Sequence, residues 1–153
     1  MDLWRNKEFS ICTNKDYLDI NVIHSYLSEE AYWSKGIPME NVKKSIKNSS
    51  LCFGVYKGEV GQEGSVQIGF ARVISDFSSF AYLCDVFILP NFQKQGLAKW
   101  LMDIMINHQE LTSVRRFMLA TKDAHSLYVK YGFEPINNPE FFMQLVRKQP
   151  YQE

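Results

Sequence analysis

Asp85-Val86-Phe87-Ile88-Leu89-Pro90-Asn91-Phe92-Gln93-Lys94-Gln95-Gly96-Leu97-Ala98 decides how this chain is read. The apolar run from Val86 to Leu89 predicts a buried strand, stopped by Pro90, which cannot donate to a ladder. Beyond Gly96, the residues Leu97, Leu101 and Ile104, with Trp100 and Met105 beside them, recur at helical spacing. A strand that feeds a helix through a glycine turn aims free backbone amides at one spot. Those amides and the positive end of the helix dipole make an anion site, most often for phosphate.

Around this core the chain divides readily. Phe9–Thr13 predicts a short strand, and Asn14 a cap for a helix from about Lys15 to Leu27, with Leu18, Val22 and Tyr26 on one face. A loop rich in aromatic and turn residues, Ala31–Pro38, leads to a second helix from about Met39 to Lys47. Leu51–Tyr56 predicts a strand, Lys57–Gly64 a hairpin connection, and Val66–Ile74 and Phe80–Leu89 two further strands. After the Gly96 helix come a short strand at Phe117–Ala120 and a two-turn helix capped by Asp123. A strand starting at Phe133 follows, and a last one, Phe141–Val146, is expected to close the sheet. The order β-α-α-β-β-β-α-β-α-β-β is mixed α/β (α+β type). It predicts one largely antiparallel sheet of about six to seven strands flanked by about four helices. At 153 residues, with no repeat or linker, the chain is expected to form a single domain over 1–153.

Composition narrows the function classes. Hydrophobic residues are 46% of the chain and aromatics 14%, which excludes a disordered protein. Lysine plus arginine equals aspartate plus glutamate at 17 each, so no global field favours nucleic acid or an anionic membrane. No run approaches the roughly 18 apolar residues of a membrane span, and Met1–Arg5 lacks the pattern of a signal peptide. Cys12, Cys52 and Cys84 are odd in number and lie in apolar segments, which predicts buried free thiols and a cytoplasmic, reducing setting. The three histidines are scattered, and no metal site is expected. Exposed strand edges and aromatic content permit a homodimer.

Two segments carry a resemblance. Gln93–Ala98 fits the pattern Gln/Arg-x-x-Gly-x-Gly/Ala of the GNAT acyl-CoA-dependent N-acetyltransferases. Ala124-His125-Ser126-Leu127-Tyr128-Val129-Lys130-Tyr131-Gly132-Phe133 resembles the family's Ala-x-x-Leu-Tyr-x-x-x-Gly-Phe segment. The two stand in the family's order, about thirty residues apart, and the likeness runs from Phe9 to Val146. The resemblance implies a sheet splayed apart between the strands ending at Leu89 and Ala120, with acetyl-CoA as co-substrate in the gap. Backbone amides of Gln95, Gly96, Leu97 and Ala98 would hold the pyrophosphate, flanked by Gln93 and Lys94. Gln93 stands where arginine is commoner, and Lys94 where a glycine is usual. Val86, Phe87 and Ile88 would offer main-chain groups to the acetyl carbonyl and the pantetheine arm, stabilising the oxyanion formed when an amine attacks.

Tyr128 occupies the position whose phenol, in many family members, protonates the departing thiolate, chemistry that suits a neutral phenol near pH 7. Thr121 stands where the family often has a pantetheine-contacting asparagine. Asp85, a carboxylate in an apolar strand, is open to three readings: general base, amine ligand, or partner of Arg72. Tyr32 and Trp33 present flat surface with polar tips, either to an acceptor amine or as packing over the sheet. No Gly-x-Ser-x-Gly nucleophile motif is present, which points to direct transfer. The implied activity is acetyl transfer to a primary amine of a small molecule or peptide; the alternative is a CoA-binding regulator without turnover.

Overall fold

A computed structural model describes residues 1–147 and Tyr151. Six strands form one sheet in chain order: β1 (Leu3–Asn6), β2 (Phe9–Cys12), β3 (Leu51–Lys57), β4 (Val66–Ser75), β5 (Phe80–Ile88) and β6 (Arg116–Leu119). Every pairing is antiparallel except the last, in which β6 runs parallel to β5. The helices are α1 (Ile20–Ser25), α2 (Met39–Asn48), α3 (Leu97–Ile106) and α4 (His125–Val129). The predicted class and helix count match this arrangement. No helix among the described residues is long and apolar enough to cross a membrane.

The period of two along each strand sorts its side chains between two cores. Phe53, Ala71 and Ile88 join a cluster completed by α3 through Leu97, Leu101, Met102 and Met105. Their chain neighbours Cys52, Phe70 and Phe87 point the other way, onto Ile23, Leu27, Val42 and Ile46 of the early helices. Each face of the central strands is therefore covered, which is why β3, β4 and β5 read as nearly continuous apolar runs.

Three local expectations differ from the structure. The first helix is broken in two. Asn14 caps only a single 3-10 turn, Lys15–Tyr17, and Asp19 then caps α1 by accepting from the amides of Asn21 and Val22. The buried residues on this stretch are Leu18, Ile23 and Leu27, with Val22 and Tyr26 only half-buried. An additional strand, β1, pairs with β2 through a two-residue turn in which Lys7 takes a φ of 54°. Finally, the strands expected from Phe133 and over Phe141–Val146 do not form: only a 3-10 turn, Pro139–Phe141, interrupts extended chain there. Strand pairing is non-local, and the apolar alternation of this segment does not specify which edge receives it.

Candidate active site

β5 and β6 pair from Phe80↔Arg116 to Leu83↔Leu119 and no further. Beyond Leu83, β5 continues to Ile88 while β6 ends, so the two parallel strands part at their carboxyl ends. A bulge sharpens the separation. Asp85 and Val86 together face the single residue Ala71 on β4, and Asp85 takes a φ of 54°. Such a bulge bends its strand and increases its twist, turning Val86–Ile88 away from the line of β6.

The turn from β5 to α3 opens onto the same end. Pro90–Phe92 form one 3-10 turn, and the Gln93 side chain donates to the Ile88 carbonyl at 2.9 Å, stitching the turn to the strand. Lys94 then has a φ of 64° and Gly96 a φ of 82°. The left-handed geometry at Lys94 accounts for the advantage of a glycine there, because a side chain in that region is strained by about 1–2 kcal/mol. Backbone amides from Lys94 to Ala98 donate to no backbone carbonyl among the described residues; the first helical bond is Trp100 to the Gly96 carbonyl. A Cβ added at Gly96 would meet nothing within 4 Å, so the cradle is open in front of these amides. Consecutive free N–H groups at a helix start, in a turn with left-handed residues, suit an anion such as a pyrophosphate. Gln93, Lys94, Gln95 and Gly96 are exposed, whereas Leu97 is buried in the core and anchors the helix.

Across the gap, the segment after β6 carries Thr121 and α4. The Thr121 hydroxyl accepts from the Ala124 amide at 3.0 Å, so it holds the start of α4. Tyr128 is 9% exposed, packed edge-on against Phe133. Burial, with smaller contributions from Tyr32 and Asp123, pushes the Tyr128 phenol above its ordinary value. It is therefore held in its neutral, proton-donating form.

Tyr32 and Trp33 join the two sides. The Trp33 indole donates to Asp85 Oδ1 on β5 at 2.9 Å, while the Tyr32 hydroxyl accepts from the Lys122 amide beyond β6 at 2.8 Å. Their rings meet edge-to-face at 5.1 Å. Two adjacent residues thus bridge the opening between the strands, and both remain about half exposed (49% and 43%). Beneath them, Tyr26 stacks on Phe87 at 4.0 Å.

Asp85 is the hub of this wall. Arg72 Nε donates to its Oδ2 at 2.6 Å, and the ion pair is largely buried, with side-chain exposures of 16% and 10%. Arg72 also reaches Ser49 Oγ at 3.3 Å. The Arg72–Asp85 contact, one of the three sequence readings, is formed; Ser49 and the Lys122 amide had no signal in the sequence. Asp85→Ala would leave the Arg72 guanidinium buried without its counter-charge and is expected to destabilise the fold by about 3 kcal/mol. Urea unfolding measures this. A loss below about 1 kcal/mol would mean the pair is solvated and held weakly.

The comparisons with known proteins agree with this geometry. The family described as "Acetyltransferase (GNAT) domain" matches residues 15–152. This chain belongs to the GNAT acetyltransferase family. A Gibberella zeae protein that carries an acetyltransferase name is 30% identical over 141 residues, covering 83% of this chain and 79% of that one. An uncharacterized N-acetyltransferase of Pyropia yezoensis is 32% identical over 136 residues, covering 88% and 74%. Among solved structures, a GNAT-family protein of Xanthomonas campestris pv. campestris is 43% identical, with a TM-score of 0.86 over 95% of this chain and 97% of that one. A Clostridium acetobutylicum protein solved with acetyl-CoA shares the fold, with a TM-score of 0.60 and 16% identity over 90% and 96%. The GNAT chain is accordingly an acyltransferase. Among the described residues, no group of three His, Cys, Asp or Glu side chains is placed to hold a metal.

Proposed function

We propose that this GNAT enzyme transfers the acetyl group of acetyl-CoA directly to a primary amine of a small molecule or peptide. The observation that carries the reading is the row of unpaired amides from Lys94 to Ala98, set at the end of a gap between two parallel strands. The open space in front of Gly96 suits a pyrophosphate, and Lys94 in the turn and Lys99 in the first turn of α3 would add charge to such a site. Gln93 fixes the turn. Acetyl-CoA, when bound there, supplies an activated acetyl thioester.

The chain's own groups then have distinct tasks. Val86, Phe87 and Ile88 lie past the last β5–β6 pair and present main-chain groups to the gap, where an amide stabilises negative charge on a carbonyl oxygen. Thr121 holds α4 so that Tyr128 keeps its place, and Tyr128 holds a proton at Oη for the leaving sulfur. Asp85 accepts one bond at each oxygen from Trp33 and Arg72. A carboxylate has about four lone-pair sites, so it retains capacity to accept the amine's hydrogen bond and its proton, directly or through water. Tyr32 and Trp33 roof the gap and form the flat wall against which the acceptor sits. A covalent route through Cys84 is disfavoured: burial raises its thiol, and the nearby Arg72 charge only partly opposes this. Free cysteines fit work in the cytoplasm, and no feature of the site favours a regulator without turnover.

The test is calorimetric titration with acetyl-CoA, followed by a thiol-release screen over amines, polyamines, amino acids and peptides. Stoichiometric binding and release with one amine class is the expected result. Absence of acetyl-CoA binding would overturn the proposal, and binding without release across the whole screen would return the regulator reading.

A further inference from the structure

Lys122 is a primary amine with no task in the acetyl-transfer site, yet it stands at the mouth of that site. It follows Thr121 on the segment between β6 and α4, across the gap from the amide cradle. Its side chain is exposed and enters no ion pair among the described residues. Two contacts nevertheless fix where it lies. The Lys122 amide donates to the Tyr32 hydroxyl at 2.8 Å, and its ammonium sits over the Tyr32 ring, 5.5 Å from the centroid. The side chain thus folds back onto the ring that roofs the gap.

From this amine the contacts run without a break to the carboxylate proposed as base. Tyr32 meets Trp33 edge-to-face at 5.1 Å, and the Trp33 indole donates to Asp85. Tyr32 is also a close neighbour of the proposed acid: after burial, it is the next influence that raises the Tyr128 phenol. Other lysines are engaged elsewhere. Lys15 donates to the Ser49 carbonyl, Lys43 pairs with Glu40, and Lys57 lies over Phe92. A cation over an exposed ring is held weakly, and a flexible four-carbon stem lets the amine leave it and swing inward.

We propose that Lys122 is a modification site of the enzyme itself, its Nζ taking the acetyl group of acetyl-CoA bound to the same chain. The proposal rests on the acetyl-CoA reading above. Nζ, once it has given its proton to Asp85 or water, attacks the thioester carbonyl carbon. The C–N bond forms, the C–S bond breaks, and the sulfur takes a proton from Tyr128. The products are an Nε-acetyllysine and the CoA thiol, with no change of oxidation state. Acetylation removes the charge of Lys122 and with it the contact over the ring, which leaves the face of Tyr32 free for an external acceptor.

The test is incubation of the full chain with acetyl-CoA and no added amine, followed by intact mass and peptide mapping. One acetyl group per chain, on Lys122, with an equal amount of CoA thiol, is the expected result. A short tether gives an effective concentration of about 1 mM, so in chain at about 10 µM Lys122 should react roughly 100-fold faster than a lysine offered by another molecule. The rate per chain should therefore not depend on protein concentration. Lys122→Arg keeps a cation over Tyr32 but offers no primary amine, and it should release no thiol under these conditions. Gly96→Glu should slow the labelling, at subsaturating acetyl-CoA, by the factor it costs in affinity. Acetyl-CoA that binds in calorimetry but leaves Lys122 unmodified would overturn this proposal alone, whereas no binding would overturn it together with the reading it rests on. Label spread evenly over exposed lysines, a rate that rises with protein concentration, or labelling indifferent to Gly96→Glu would each overturn it too.

Discussion

Gly96→Glu is expected to lower the affinity for acetyl-CoA by about 100-fold or more, a loss near 3 kcal/mol. Two effects act together. Gly96 has a φ of 82° and a ψ of 7°, and a side chain there is strained by about 1–2 kcal/mol. The new carboxylate also enters the space that the free amides face, replacing an attracted anion with a fixed one of the same sign. Because nothing lies within 4 Å of an added Cβ, the substitution meets no packed neighbour, and the fold should survive it. Gly96→Ala separates the two contributions, since it keeps the strain and omits the charge. Calorimetry on both variants is decisive: unchanged affinity in Gly96→Glu would place the pyrophosphate somewhere other than the start of α3.

The part of the molecule around Gly96 was legible because its signals are local. Pro90 ending β5, the glycine that allows a left-handed turn, and the apolar spacing of α3 are each written within a few residues. The Gln93 bond to Ile88 spans only five positions. Features that depend on distant partners were harder to read. The Arg72–Asp85 contact was one option among three until the bulge opposite Ala71 brought the two side chains together. Trp33 lies 52 residues from Asp85, and Tyr32 lies 90 from Lys122, so the strap across the gap has no sequence signature. β1 has little strand signal in the sequence because its outer half, Arg5 and Asn6, is polar and exposed, as an edge strand often is. Phe141–Val146 shows the opposite failure: it has strand periodicity without a partner on its own chain. Asp19 divided the first helix because its carboxylate reaches two amides at once, whereas Asn14 reaches one.

Tyr128→Phe should reduce kcat by about 100-fold or more while leaving acetyl-CoA affinity within a factor of about 3, the range expected for loss of a positioned general acid. The ring's packing against Phe133 is retained in phenylalanine, and the hydroxyl makes no hydrogen bond among the described residues, so stability should change little. The pH profile supplies an independent check. Burial, followed by Tyr32 and Asp123, raises the phenol's pKa in the folded enzyme. Its proton is therefore bound more tightly in the folded chain than in the unfolded one. The acid stays competent through the ordinary tyrosine range near pH 10. Any stability tied to the neutral phenol is complete below that range and lost only as pH rises from it toward the folded value. Wild-type turnover should accordingly show no alkaline fall attributable to Tyr128 until above pH ~10. Acceptor amines with low pKa separate this limb from amine deprotonation, which accelerates attack as pH rises. If Tyr128→Phe keeps full kcat, the leaving sulfur takes its proton from water or another group, and the burial of Tyr128 serves only to pack α4 on the core.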